Sequence, residues 1–185
     1  MASVLMPLAE GFEELEAVTV IDVLRRAGIE VTTAGLDGAG AVTGSRQTQL
    51  VPDAALDDVM DRDFDMITLP GGMPGVDNLK RDPRIRQLLE RFHSQDRFTT
   101  AICAAPSILA AHGYLEGRQV TSNPKFQNQV NLGNVDYVED PVVVDGSVVT
   151  SRGPGTAMEF GLKLIEMLAG EDARDEVEAG LVRIH

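Results

Sequence analysis

Apolar positions in this chain follow two alternating rhythms. Short continuous apolar runs alternate with longer stretches in which apolar residues fall three or four apart. Residues 4–8, 29–34, 65–69 and 97–102 read as buried strands, with shorter ones at 119–121, 137–138, 141–144 and 148–150. Residues 13–27 read as a helix with Leu15, Val18, Ile21 and Leu24 near one face and Gly28 at its end. A short helix is predicted over 53–60, a longer one from Pro83 to 93, and another after Cys103. The capping box Thr156-Ala157-Met158-Glu159 opens a helix to 168, and a last helix covers 172–178. Such β–α alternation implies an α/β sandwich with a mostly parallel sheet, helices on both faces and right-handed crossovers. No repeat or linker divides the chain, so 1–185 reads as one domain. Function in such sheets gathers at the carboxyl ends of the strands. Three segments fall there: 10–16, 71–75 and Cys103.

Composition and charge narrow the function classes. With 185 residues, 43% of them apolar, the chain can bury a core. No apolar run approaches the roughly 20 residues of a membrane span. The start Met1-Ala2-Ser3-Val4-Leu5-Met6-Pro7 lacks the basic end and long apolar stretch of a signal peptide. One cysteine cannot form an internal disulfide, so a cytoplasmic location is expected. His93, His112 and His185 lack ligand spacing, so neither metal nor cofactor is expected. Sixteen basic and twenty-nine acidic residues give −13. Such a surface repels nucleic acid, and Lys80-Arg81 and Arg25-Arg26 are too short to offset it. The acidic stretch 171–178 reads as a solvated helix face.

The single cysteine carries the strongest chemical signal. Cys103 lies between the strand ending Thr99-Thr100-Ala101-Ile102 and a helix with Pro106 in its first turn. A lone cysteine is ordinarily a small buried apolar residue. A structural cysteine has no need of this bend, however, which resembles a nucleophile elbow without its G-x-S-x-G wording. The helix N-terminus favours a thiolate, so a thiol well below its ordinary pKa is expected. A reactive thiol also needs a group to manage its proton. His112 sits more than two turns along the same helix, and His93 lies on the preceding one. The acids Glu13, Glu14 and Glu16 stand at the same sheet edge. Glu14 reads as a complement to the helix dipole. Glu16, between apolar Leu15 and Ala17, turns toward the sheet, and it is expected to be neutral at pH 7 beside the thiolate. The double glycine in Pro70-Gly71-Gly72 lets backbone N–H groups approach a ligand or oxyanion. It is no phosphate loop, because both glycine-rich phosphate signatures are absent.

Four segments in this order and spacing resemble the ThiJ/PfpI superfamily, nearest its deglycase and bacterial ThiJ-like branch. They are Gly11 to Glu16, Leu69-Pro70-Gly71-Gly72, Ala101-Ile102-Cys103-Ala104-Ala105-Pro106 and Thr150-Ser151-Arg152-Gly153-Pro154-Gly155-Thr156. The resemblance covers nearly the whole chain, and the four segments together are highly specific. It implies a flavodoxin-like three-layer sandwich and a homodimer. It makes Cys103 the nucleophilic, oxidation-prone cysteine and Glu16 its protonated hydrogen-bond partner. It implies that Gly71, Gly72 and Ala104 are backbone donors of the pocket. It sends Arg46 across the dimer interface toward Glu13 of the partner subunit and puts Pro154 near the partner's pocket. The activities it implies are methylglyoxal or glycation-adduct chemistry, chaperone action and peroxide sensing. Two positions depart from relatives. Asn123 stands where some members carry a pocket histidine, and it cannot shuttle protons near neutral pH. Ala104 replaces the histidine that follows the nucleophile in the peptidase branch, which argues against a Cys–His protease. Two readings result: a cysteine-dependent enzyme acting on a small aldehyde or glycated substrate, and a redox sensor or chaperone that responds to Cys103 oxidation.

Overall fold

The computed structural model describes residues 1–131 and 133–183. Its strands are β1 (Ser3–Leu8), β2 (Glu30–Gly35), β3 (Val42–Thr43), β4 (Gln49–Leu50), β5 (Ala54–Ala55), β6 (Met66–Leu69), β7 (Phe98–Ile102), β8 (Gln119–Val120), β9 (Asp136–Tyr137), β10 (Val142–Asp145) and β11 (Val148–Ser151). Its helices are α1 (Glu14–Arg26), α2 (Leu56–Val59), α3 (Gly75–Arg81), α4 (Pro83–Ser94), α5 (Pro106–Ala111), α6 (Gln127–Val130), α7 (Ala157–Ala169) and α8 (Glu171–Gly180). Seven strands form one sheet in the order β10-β11-β7-β6-β1-β2-β5. Every pairing in it is parallel except β10 with β11. From β1 the chain passes to β2 on one side and later returns to β6 on the other. That reversal of winding leaves a crevice at the carboxyl ends of β1 and β6.

The pleat of β1 divides the core into two layers. Val4, Met6 and Leu8 join Val20 and Leu24 of α1 and Phe160 and Ile165 of α7. Leu5 faces the other way, toward Leu79, Leu88, Phe92 and Ile108 of α3, α4 and α5. The α/β sandwich read from the alternating pattern is therefore the one observed. Among the described residues no helix is long and apolar enough to cross a membrane.

Four local expectations are corrected. On α1 the buried residues are Glu16, Ala17, Val20, Ile21, Val23 and Leu24, while Leu15 and Val18 stay 63% and 48% exposed. The apolar positions of this helix occupy two faces rather than one. The 53–60 helix shrinks to α2, because Asp53 is held at the sheet edge by the N–H and hydroxyl of Thr33 and by Arg25, and β5 follows it. Thr156 does not cap α7 through its side chain. Its hydroxyl turns back to accept from the N–H groups of Arg152 (3.2 Å) and Gly153 (3.1 Å). The pattern also misses α3 and the β3–β4 hairpin, both too short or too glycine-rich to register a period.

Packing of α7 on α1 depends on Gly161. A Cβ there would stand 2.4 Å from Cγ2 of Val23, a stiff, buried side chain. Gly161→Val is expected to lower the unfolding free energy by about 2 kcal/mol, within the range for overpacked cores. Urea denaturation monitored by circular dichroism checks this; unchanged stability would show that the two helices can separate freely.

Candidate active site

Where β7 ends, Cys103 turns the chain with a φ of 66°. That left-handed conformation costs a non-glycine residue roughly 1–2 kcal/mol, so neighbours must hold it. The Cys103 N–H donates to Ser151 O (3.0 Å), and Cys103 O accepts from the Asn123 N–H (2.9 Å). Helix α5 then starts at Pro106, whose missing N–H is harmless in the first turn. This is the strand-to-helix elbow expected from the sequence.

Glu16 reaches the sulfur from α1. The carboxylate of Glu13 accepts the Glu16 N–H (2.8 Å) and caps the helix. Glu16 itself is 0% exposed. Its Oε2 accepts the Gly71 N–H at 2.7 Å. Its Oε1 is buried without a hydrogen-bond partner among the described residues, and the carboxyl as a whole neighbours the Cys103 thiol. Gly71 makes the meeting possible. A Cβ at that position would lie 2.6 Å from Glu16 Oε2 and from Cys103 Cβ, and 3.2 Å from Sγ. Any side chain there would push carboxyl and thiol apart. Gly71 was expected to offer its N–H to the pocket, but Glu16 already takes it. Gly72, with φ of 92°, follows and faces the open side.

A cleft of about 320 Å³ opens over the sulfur. Glu13, Arg46, Gly72, Ala104, Asn123 and Pro154 all line it, as does Cys103, which is 8% exposed. Pro154, which the resemblance puts near the partner's pocket, also lines the cleft of its own chain. Asn123 Oδ1 accepts from the Lys125 N–H (3.1 Å), which leaves its amide NH2 turned to the sulfur. The Ala104 N–H is the second donor to that sulfur.

Sequence reasoning missed Ser45, Met73, Lys125 and Phe126 in the lining. It also undervalued Glu14. That carboxylate accepts the N–H groups of Arg46 (2.6 Å) and Thr48 (3.3 Å) and the Ser45 hydroxyl (3.2 Å), and so ties the β3–β4 hairpin to the start of α1. Burial would raise its pKa, but these donors lower it overall. The segment Gly44-Ser45-Arg46 was the available signal, read only for its arginine. His93 and His112 flank Tyr114, with ring centroids 4.9 and 6.3 Å away, and do not line the cleft. His185 lies outside the described residues.

The two acids control each other's protons. Burial raises the Glu16 carboxyl to about 7, against the pull of the Cys103 and Gly71 hydrogen bonds. Burial first, and then the charge of Glu16, pushes the Cys103 thiol up to about 12. Two anions cannot share this dry space near neutral pH, so the pair loses one proton near the lower value and keeps the other to the upper one. Beside an ionised Glu16 the thiol is not lowered as expected but raised, because burial and the carboxyl outweigh the helix N-terminus; the sulfur ionises first only where the shared proton stays on Glu16. The remaining proton belongs on Glu16. Apart from the shared proton, a charge on sulfur receives two donors, Ala104 N–H and the Asn123 amide, whereas a charge on Glu16 receives one, the Gly71 N–H.

This coupling fixes a pH dependence. The folded pair releases its first proton near 7 and the unfolded carboxyl near its ordinary 4.5. Stability from this source is thus complete below 4.5 and is lost as pH rises through 7. The difference in unfolding free energy between wild type and Glu16→Gln should fall by about 3 kcal/mol across that window. Chemical denaturation at a series of pH values measures it; a flat difference would mean that Glu16 ionises as freely in the fold as in the unfolded chain.

Comparison with known proteins finds relatives over nearly the whole chain. A family model described as the DJ-1/PfpI family matches residues 2–167. Protein dj-1beta of Drosophila melanogaster is 46% identical over 181 residues, covering 97% of this chain and 96% of its own length. Its crystal structure superposes with a TM-score of 0.94, covering 100% of this chain and 99% of that one. The structure of Toxoplasma gondii DJ-1, described as oxidized, is 35% identical with a TM-score of 0.95 and full coverage of both chains. A Caenorhabditis elegans relative named glutathione-independent glyoxalase DJR-1.2 is 40% identical over 171 residues, covering 92% of this chain and 90% of its own. The chain belongs to the DJ-1/PfpI family.

Proposed function

We propose that this protein is a cysteine-dependent stress-response enzyme that acts on methylglyoxal or early glycation adducts through Cys103 and Glu16. One observation carries the reading: a strained, cleft-facing thiol stands against a carboxyl buried behind it. The name of the Caenorhabditis elegans relative lends support. The Cys103 thiolate adds to the aldehyde carbon, and the resulting alkoxide takes the proton from Glu16. The N–H groups of Ala104 and Gly72 and the Asn123 amide surround that oxygen. Glu16, now a carboxylate, removes the proton from the former aldehyde carbon and returns it to the neighbouring one, while the hydroxyl proton passes to the former ketone oxygen, which leaves a thioester on Cys103. Water then cleaves the thioester, releasing a 2-hydroxy acid and the thiol. The sum adds one water and changes no net oxidation state. With a glycation adduct, the same thiolate would displace the amine or thiol it modifies. A reducing cytoplasm, where a lone thiol stays free, suits this chemistry.

Asn123 supports a second reading. With no second group that titrates near neutral pH beside Glu16, proton transfer between carbons has one carrier, and turnover is slow. Two peroxide molecules would instead convert the thiolate to a sulfinate, releasing two waters, and a protonated Glu16 would hold the product. The protein would then be a sensor or chaperone governed by oxidation.

Assembly is part of the proposal. Leu15 and Val18 on α1 and Val51 beyond β4 are exposed, and Glu14 joins the two elements that carry them. Arg46 has no carboxylate partner among the described residues. A homodimer that covers these apolar residues would pair Arg46 with Glu13 of the partner subunit.

Methylglyoxal turnover should vanish in Cys103→Ala and nearly vanish in Glu16→Ala, while Asn123→His should raise it. Lactate formation by reduced protein is the assay. A Cys103→Ala variant with wild-type rate would remove the enzymatic reading, and peroxide oxidation followed by intact mass would then test the sensor. For assembly, Arg46→Ala should weaken the dimer by roughly 3 kcal/mol, as when one partner of a buried pair is removed. Sedimentation equilibrium reads this directly, and wild type that is monomeric at micromolar concentration contradicts it.

A further inference from the structure

Among the described residues, ten of the sixteen basic side chains pair with a carboxylate, in a chain with twenty-nine acids. Lys125 is not one of them. It stands exposed on the 3-10 segment Pro124–Phe126 and lines the cleft. Its N–H binds Asn123 Oδ1, so its side chain starts two residues from the amide that faces the sulfur. The other charges at the mouth are of opposite sign and offset each other. Glu13 is held by the Glu16 N–H, and Arg46 donates to Ser45 O at 3.2 Å. Lys125 is left as the cation that sets the field across the opening.

That field matters because the chain as a whole repels anions. The chain carries −13, and the reactive form of the pair adds a thiolate. Salt screens distant charges beyond about 8 Å, but not a lysine on the cleft wall. Met73, Phe126 and Pro154 add apolar surface to the lining of the cleft. A ligand that fits has a carbonyl at Cys103, a short apolar body, and a negative group at Lys125.

We infer that Lys125 is a specificity-determining residue that selects 2-oxoaldehydes bearing a carboxylate at their far end. The inference rests on the enzymatic reading above and names its substrate class. The reaction is unchanged: 4,5-dioxopentanoate plus one water gives 2-hydroxyglutarate, with the distal carboxylate untouched.

Two measurements test it. The first compares kcat/KM for 4,5-dioxopentanoate with that for its methyl ester, which is neutral and of similar size. Wild type should prefer the acid about five-fold, the upper end for one partly exposed charge pair. Lys125→Met should bring that ratio close to one, Lys125→Glu should invert it, and added salt should erode the wild-type preference. The second measurement needs no turnover. Cys103, the chain's only cysteine, is alkylated with iodoacetate and with iodoacetamide, and the ratio of the two rates should fall about three-fold or more in Lys125→Met. If no 2-oxoaldehyde is converted but the alkylation ratio shifts as expected, the enzymatic reading fails while anion recognition by Lys125 stands. An alkylation ratio that is the same in wild type and Lys125→Met overturns the inference, as does an acid-to-ester preference that survives the substitution.

Discussion

A single proton shared between Glu16 and Cys103 organises the chemistry of this protein. Both groups are buried, so neither can rely on water to stabilise its charge. Each raises the cost of ionising the other, and the pair stays singly protonated over the range from about 7 to about 12. A thiolate backed by a neutral carboxyl is both a nucleophile and its own proton source. It is also the arrangement that would cradle an oxidised sulfur. The two functional readings therefore draw on the same physical device and diverge only in what reaches the sulfur first.

The fold exists around that device in a concrete sense. Cys103 is strained, Glu16 is desolvated, and Gly71 contributes no side chain to the core. Each is unfavourable for stability taken alone. The two packed layers on either side of the parallel sheet supply the compensating apolar burial. The reversal of winding between β1 and β6 leaves the opening where three strand ends can contribute: Glu13 and Glu16 after β1, Gly71 and Gly72 after β6, and Cys103 after β7.

Much of this is legible in the sequence because the signals are local. A strand running into Cys103 and a helix opened by Pro106 announce the bend, and a lone glutamate between Leu15 and Ala17 announces burial of Glu16. What escapes is what depends on three dimensions. Leu15 and Val18 look like core until the helix is set against α7, which leaves them outside. The Gly71 N–H looks like a donor for ligands until Glu16 occupies it. Lys125 and Phe126 follow Asn123 in a segment with no periodicity, so nothing in the pattern places them at the cleft. The rise in both groups' pKa escapes for the same reason, since a helix N-terminus is visible in sequence and the depth of burial is not.

The most direct test of the shared proton is to locate it at a pH between the pair's two ionisation steps. Isotope-edited infrared spectroscopy, with wild type minus Glu16→Gln isolating the carboxyl, reports whether Glu16 is protonated. Ultraviolet absorption lost in Cys103→Ala reports whether the sulfur is a thiolate. The account predicts a carboxylic acid C=O band at Glu16 together with thiolate absorption at the same pH. An ionised Glu16 beside a protonated thiol would contradict it.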